Sequence, residues 1–289
     1  MEKVVSQNAE KKGVTSPLIH TRIRPPSGWE ALDLSELWQF RDLFVILMMR
    51  DVKLRYKQTA LGVAWVILQP LISAIIFAVV FGRLADLPSN GVPYLLFAYA
   101  GMLGWNIFAN GLQRSGTSLV TSARMISKVY FPRLTIPIAS TASVLVDFLV
   151  AIVVMFILIA IEGYQLTANA LVFPVFVVMT LVFTVGVSLW ISSLSVYYRD
   201  FGYSVPFIIQ AWLYISPVAY STELVPERYQ VLYSLNPMTG VLEGFRWSLL
   251  GTSDFPGLAL LMGGVVSVTI LLSGAFVFRR IENHFADVV

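Results

Sequence analysis

QRSGTSLVTSARMISKVYFPRL, residues 113–134, carries Arg114, Arg124, Lys128 and Arg133 and no Asp or Glu. It lies between two long apolar runs, Tyr94–Leu112 and Ile136–Ile161. Lys and Arg resist translocation across a bilayer, so a basic loop between two spans stays on the cytoplasmic side. That placement sets the direction of every span to either side. Leu119, Met125, Ile126, Val129 and Tyr130 recur near helical spacing and Pro132 ends the run, which predicts a short cytoplasmic helix with a mixed basic and apolar face. The charges alone fit equally well a plain connector kept inside by its arginines.

The 289 residues are 57% hydrophobic and 13% charged, with a mean hydropathy of +0.74. Soluble domains carry roughly 25% charge, so this is an all-α polytopic membrane protein. With no Cys, disulfides, thiol catalysis and Cys-based metal sites are excluded. His20 and His284, the two histidines, fall in the polar termini, so no histidine relay or metal centre is expected inside the membrane. The pI near 9.1 reflects charges sorted by membrane side, and no nucleic-acid partner is expected. There is no G-x-x-x-x-G-K-[ST] phosphate loop, nor a paired-carboxylate or Ser/His constellation at a membrane face. Catalytic residues, metal and cofactor are therefore expected to be none, and energy, if used, must come from a partner.

Residues 1–31 are polar and lack the apolar core of a signal peptide, and are read as a flexible cytoplasmic tail ahead of one membrane domain, 32–289. Asp33 as N-cap with Glu36 three residues on predicts a helix start. On a helical wheel Glu36, Gln39, Asp42, Arg50, Lys53 and Lys57 share one face and Leu37, Phe40, Phe44, Leu47 and Met48 the other, with Arg41, Asp51 and Ile46 out of place. An amphipathic helix in the cytoplasmic interface fits this pattern, as does an ordinary packed helix.

Spans are expected at Ala60–Phe81, Tyr94–Leu112, Ile136–Ile161, Ala170–Tyr197 and Gly257–Phe278, with a weaker sixth at Val205–Tyr220, short and holding Pro206 and Pro217. Six spans with both termini cytoplasmic leave Arg83, Arg228 and Arg246 outside and the other 17 of 20 Lys and Arg inside, as membrane insertion favours. The outer segment Ser221–Phe255 is too apolar for a solvated linker. Its second half, Pro237–Leu250 behind Asn236 as cap, predicts a helix burying Leu242, Phe245, Trp247 and Leu249. Two short re-entrant helices between spans five and six are expected, with Glu223, Glu227, Glu243 and Arg246 facing water or each other; a simple packed loop is the alternative.

Asp147 is the one ionised residue well inside an apolar run, with Asn106 able to reach a similar depth. An intramembrane acid is a functional candidate by default, although a structural carboxylate joining helices is the favoured reading. Phe77, Phe81, Tyr94, Phe97, Trp212, Tyr214 and Tyr220 fall in the outer halves of their spans, either as an interfacial belt or as flat surfaces for sugar rings.

Five blocks then become recognisable: RDVKLRYKQTALGVAWVILQPL (50–71), FGRLADLPSNGVPYLLFAYAGMLGW (81–105), ARMISKVYFPRLTIP (123–137), VYYRDFGYSVPF (196–207) and SLNPMTGVLEGFRWSLLG (234–251). Together they resemble the permease subunit of bacterial type-2 ABC exporters for polysaccharides, the O-antigen, teichoic-acid and capsule exporters. The resemblance implies a homodimer of six-span subunits in the bacterial inner membrane, with two copies of a separate ABC ATPase. It implies ATPase docking through Arg124, Met125, Ile126, Lys128, Val129, Tyr130 and Arg133, and a gate helix at Asp33–Lys57. It further implies an outer gate including Tyr220, Glu243, Phe245, Arg246 and Trp247, and an aromatic-lined channel for a lipid-linked polysaccharide, here assigned to Tyr94, Phe97, Trp212 and Tyr214. The alternatives from other classes are an ATP-independent channel or proton-coupled carrier, and a glycan-modifying enzyme.

Overall fold

The computed structural model of the protein describes residues 38–57, 62, 64–252, 255–282 and 285. The expected tail and the Asp33–Glu36 capping box lie outside them. All regular structure among the described residues is helical. In order these are α1 Arg41–Tyr56, α2 Ala64–Phe77 with a π-helical extension Ala78–Leu84, α3 Tyr94–Ser115, the single turns α4 Ser118–Thr121 and α5 Ala123–Ile126, α6 Thr135–Ala142 and α7 Val144–Ile161. After a 3₁₀ turn at Ala168–Val172 come α8 Phe173–Tyr197, α9 Arg199–Ile215, α10 Glu227–Ser234, α11 Pro237–Leu250 and α12 Gly257–Glu282.

Five stretches are long and apolar enough to cross a membrane: Ala64–Leu84, Tyr94–Gly116, Thr135–Ile161, Ala168–Tyr197 and Gly257–Glu282. The sixth expected span takes a different form. α9 starts at Arg199, where Tyr198 is extended (φ −127°, ψ 101°), and stops at Ile215 because Ser216 is extended (φ −98°, ψ 148°). Pro217 imposes that stop, since its ring disfavours a helical residue before it. The 17 residues of α9 reach about 25 Å, short of the roughly 30 Å hydrocarbon core. Its N-terminal end lies by Thr117, which faces Gly202, and the buried segment 216–219 that follows it meets Gly101 and Tyr94 in the N-terminal half of α3.

α3 is the central helix, buried almost continuously from Leu96 to Trp105. Since lipid is as apolar as leucine, association in a bilayer depends on close packing, and small residues permit it. Gly186 of α8 and Gly274 of α12 do so here: a Cβ on Gly186 would lie 2.8 Å from the Leu271 backbone nitrogen, and one on Gly274 2.7 Å from the Gly186 carbonyl. Replacing either glycine with alanine would force the two helices apart. The other side of α12 presents Leu258, Leu261, Val265, Val268, Leu272 and Phe276, all exposed at helical spacing.

α1 uses its apolar face within the protein. Leu47 is buried, with Phe40, Leu43, Phe44 and Met48 beside it, against Ile126, Phe131, Leu134 and Phe278. Asp51, out of place on the wheel, accepts a hydrogen bond from Ser140 of α6 (2.5 Å). Ile46, equally out of place, is exposed with Trp38, Val45 and Met49, giving α1 a second apolar side.

Candidate functional site

The loop between α3 and α6 is two single turns rather than one short helix. Leu119 and Ile126 turn inward to the core beneath α1, while Arg124 and Lys128 are exposed beside Val129 (57% exposed) and Tyr130 (69%). Met125 is partly buried. Arg133 donates to the backbone carbonyl of Glu282 at the end of α12. Of the seven expected docking residues, Ile126 and Arg133 are thus engaged inside the protomer. The free surface is the basic and aromatic patch Arg124, Lys128, Val129 and Tyr130.

Asp147 is not isolated. Arg55 lies 3.0 Å from its Oδ2, Arg114 donates to the same oxygen, and Tyr56 donates to Oδ1. Arg114 also donates to Ser143 (2.8 Å). One carboxylate therefore ties the end of α1 to α3 and α7. Burial, then the adjoining carboxylate, pushes the Tyr56 phenol above its ordinary pKa, so it stays a donor. Asn106 lines the same small cavity as Asp147, with Gln69 and Asn110. Two polar stripes at helical spacing carry this cluster: Asn106, Asn110 and Arg114 on α3, and Ser140, Ser143 and Asp147 across α6 and α7. Both were visible in the sequence, yet Arg114 there counts only as a loop charge.

At the other end, Arg246 is fully buried. Its guanidinium lies 3.0 Å from Glu243 Oε1, donates to the carbonyls of Val218 (2.8 Å), Tyr220 (3.3 Å) and Phe97 (3.4 Å), and covers the Phe97 ring at 3.7 Å. Gly101 leaves the room: a Cβ there would fall 2.8 Å from an Arg246 nitrogen and 2.7 Å from the Val218 carbonyl. Glu243 and Arg246 face each other, as expected. α11 has the bounds read from sequence, Asn236 caps it by accepting from the Met238 N–H (3.1 Å), and Phe245 is fully buried against Phe173 (4.9 Å between centroids). Trp247 is partly buried. The Tyr220 and Tyr233 hydroxyls share a 2.7 Å hydrogen bond.

The four expected channel aromatics part company. Phe97 has no exposed surface within this chain, because Arg246 occupies its face. Tyr94 packs on Gly82 and donates to the Ala219 carbonyl. Trp212 packs edge-on against the stacked rings of Phe108 (5.4 Å) and Phe183 (5.5 Å) and donates to Asn236 (3.0 Å). Tyr214 is 69% exposed, and Tyr203, Phe207 and Gln210 are exposed on the same side of α9, at the 3.6-residue period.

Residues 42–250 match the protein family described as ABC-2 type transporter. The chain is 26% identical over 252 residues to the O-antigen export system permease protein RfbA of Klebsiella pneumoniae, covering 86% of this chain and 95% of that protein. It is 24% identical over 255 residues to the RfbA of Myxococcus xanthus, covering 87% and 97%. The capsule polysaccharide export inner-membrane protein CtrC of Neisseria meningitidis is 25% identical over 215 residues, covering 72% and 78%.

Proposed function

The chain belongs to the ABC-2 type transporter family, and from that premise we propose that it is the membrane permease of an ATP-driven exporter of lipid-linked polysaccharide. The observation that carries this is the breadth of the match: relatives named for O-antigen and capsule export align over most of their own length. The substrate is an O-antigen-like or teichoic-acid-like polymer, and ATP is hydrolysed by a separate ABC ATPase. Two permeases and two ATPases form the working unit in the bacterial inner membrane.

The reading includes six spans with both termini cytoplasmic, α9 with segment 216–220 making the fifth crossing. Its contacts near Thr117 at one end and Gly101 at the other support this. The outer gate is re-entrant: Leu242 of α11 packs at Gly104, ten residues or about 15 Å along α3 from Tyr94. α1 lies in the inner interface with Trp38, Val45, Ile46 and Met49 toward the headgroups, and residues 1–31 are a flexible tail. The ATPase seats on Arg124, Lys128, Val129 and Tyr130, and the exposed side of α9 around Tyr214 faces the polymer.

Deleting the gene should leave polymer inside the cell and remove it from the surface, with recovery on re-expression; unchanged surface polymer would overturn the reading. For topology, single cysteines at Gln165 and Arg228 should react with an impermeant thiol reagent in intact cells. One at Ser127 should react only after permeabilisation. All three positions are exposed.

A further inference from the structure

We propose that the cleft at the inner end of the bundle, between α1, the end of α3, α4 and α6, binds the phosphate of a lipid headgroup. The inference rests on the membrane placement above. The cleft has a volume of about 430 Å³ and is lined by Arg50, Arg55, Arg114, Thr117 and Ser140, with Asp51 on one wall. That size falls within the roughly 300–1,000 Å³ of small-molecule sites.

Charge in the cleft does not balance. Three guanidinium groups face two carboxylates, Asp51 and Asp147, and both carboxylates are already engaged. Asp51 takes Arg50 on Oδ1 (2.9 Å) and Ser140 on Oδ2. Asp147 holds Arg55 and Arg114 on a single oxygen and Tyr56 on the other. Arg55 forms no hydrogen bond or ion pair beyond that with Asp147 among the described residues, although a guanidinium offers five N–H donors. Its fork suits the oxygens of a phosphate. The Thr117 hydroxyl also lines the cleft, with no hydrogen-bond partner among the described residues, and supplies one more donor.

A lipid rather than a soluble anion fits because the cleft lies at the membrane interface proposed above, with an exposed leucine on its rim. Leu54, 64% exposed, borders the cleft beside Arg50 and Arg55. An acyl or isoprenoid chain would lie against Leu54 while its phosphate met the arginines. The phosphate could belong to an anionic bilayer lipid or to the carrier of the exported polymer.

The test uses the full chain in phosphatidylcholine nanodiscs, without ATPase, so its failure leaves the export reading standing. Geranylgeranyl diphosphate should bind and the matching alcohol should not. Arg55→Gln should weaken binding roughly tenfold, as loss of a charge-assisted bond does, and Arg55→Lys should recover part of it. Thr117→Val should weaken binding about threefold at an unchanged melting temperature, which guards against misfolding as the cause. Competition by phosphatidylglycerol at equal affinity would assign the site to bilayer lipid; resistance to it would assign it to a diphosphate carrier. No preference over the alcohol, indifference to all three substitutions, or equal displacement by inorganic diphosphate would overturn the proposal.

Discussion

The two arginine centres differ in how completely each cation is satisfied. Arg246 is sealed: one carboxylate, three backbone carbonyls and the Phe97 ring enclose it, and its side chain has no exposed surface. Arg55 and Arg114 share Asp147 at the edge of a cleft, with 32% and 16% of their side chains exposed. A sealed cation holds structure because removing it leaves partners that water cannot reach. An open cation keeps donors free for something that arrives. The Arg246 centre thus fixes α11 to α3 and to the segment after α9, while the Asp147 centre leaves part of its arginines open to the cleft.

Arg246→Ala gives the largest expected effect. It leaves the Glu243 carboxylate and three carbonyls buried without their partner, a loss of about 3–5 kcal/mol by analogy with broken buried ion pairs. Urea unfolding in detergent would measure it, and a small shift would show that the Arg246 centre is not sealed. Asp147→Asn should cost less, about 1–3 kcal/mol, because its two arginines can turn toward the cleft. Parity between the two variants would erase the distinction. Among the aromatics, Phe97→Ala should destabilise by roughly 3–5 kcal/mol. Tyr214→Ala, at an exposed site, should stay within about 0.5 kcal/mol while lowering polymer export. If Tyr214→Ala exports normally, the exposed side of α9 is not the polymer path.

Much of the fold was legible because hydropathy and charge act locally. Uncharged runs marked the five long spans, and Asn236-Pro237 marked the start of α11. The Val205–Tyr220 run was less clear because Pro217 stops the helix within it, so composition and secondary structure disagree there. For Phe97 the sequence shows only its depth, while the guanidinium covering it comes from 149 positions away. Ile126 enters the docking set through the family resemblance, and helical spacing could not reveal that the loop breaks into two turns that bury it. The Asp147 cluster was half visible: the polar stripes on α3 and on α6–α7 could be read, but the contribution of Arg55 and Tyr56 depends on how α1 packs.

The central claim is that this chain moves its cargo by coupling to a separate ATPase at the exposed inner patch. A photo-crosslinking residue in place of Tyr130, in cells expressing the chain at native level, tests it most directly. The account predicts a crosslinked product containing a nucleotide-binding subunit, lost when Arg124 and Lys128 are both changed to Glu even though the permease still inserts, since like charge would replace attraction at the dock. Crosslinking to no nucleotide-binding protein, or an adduct and polymer export both unaffected by the double substitution, would contradict it.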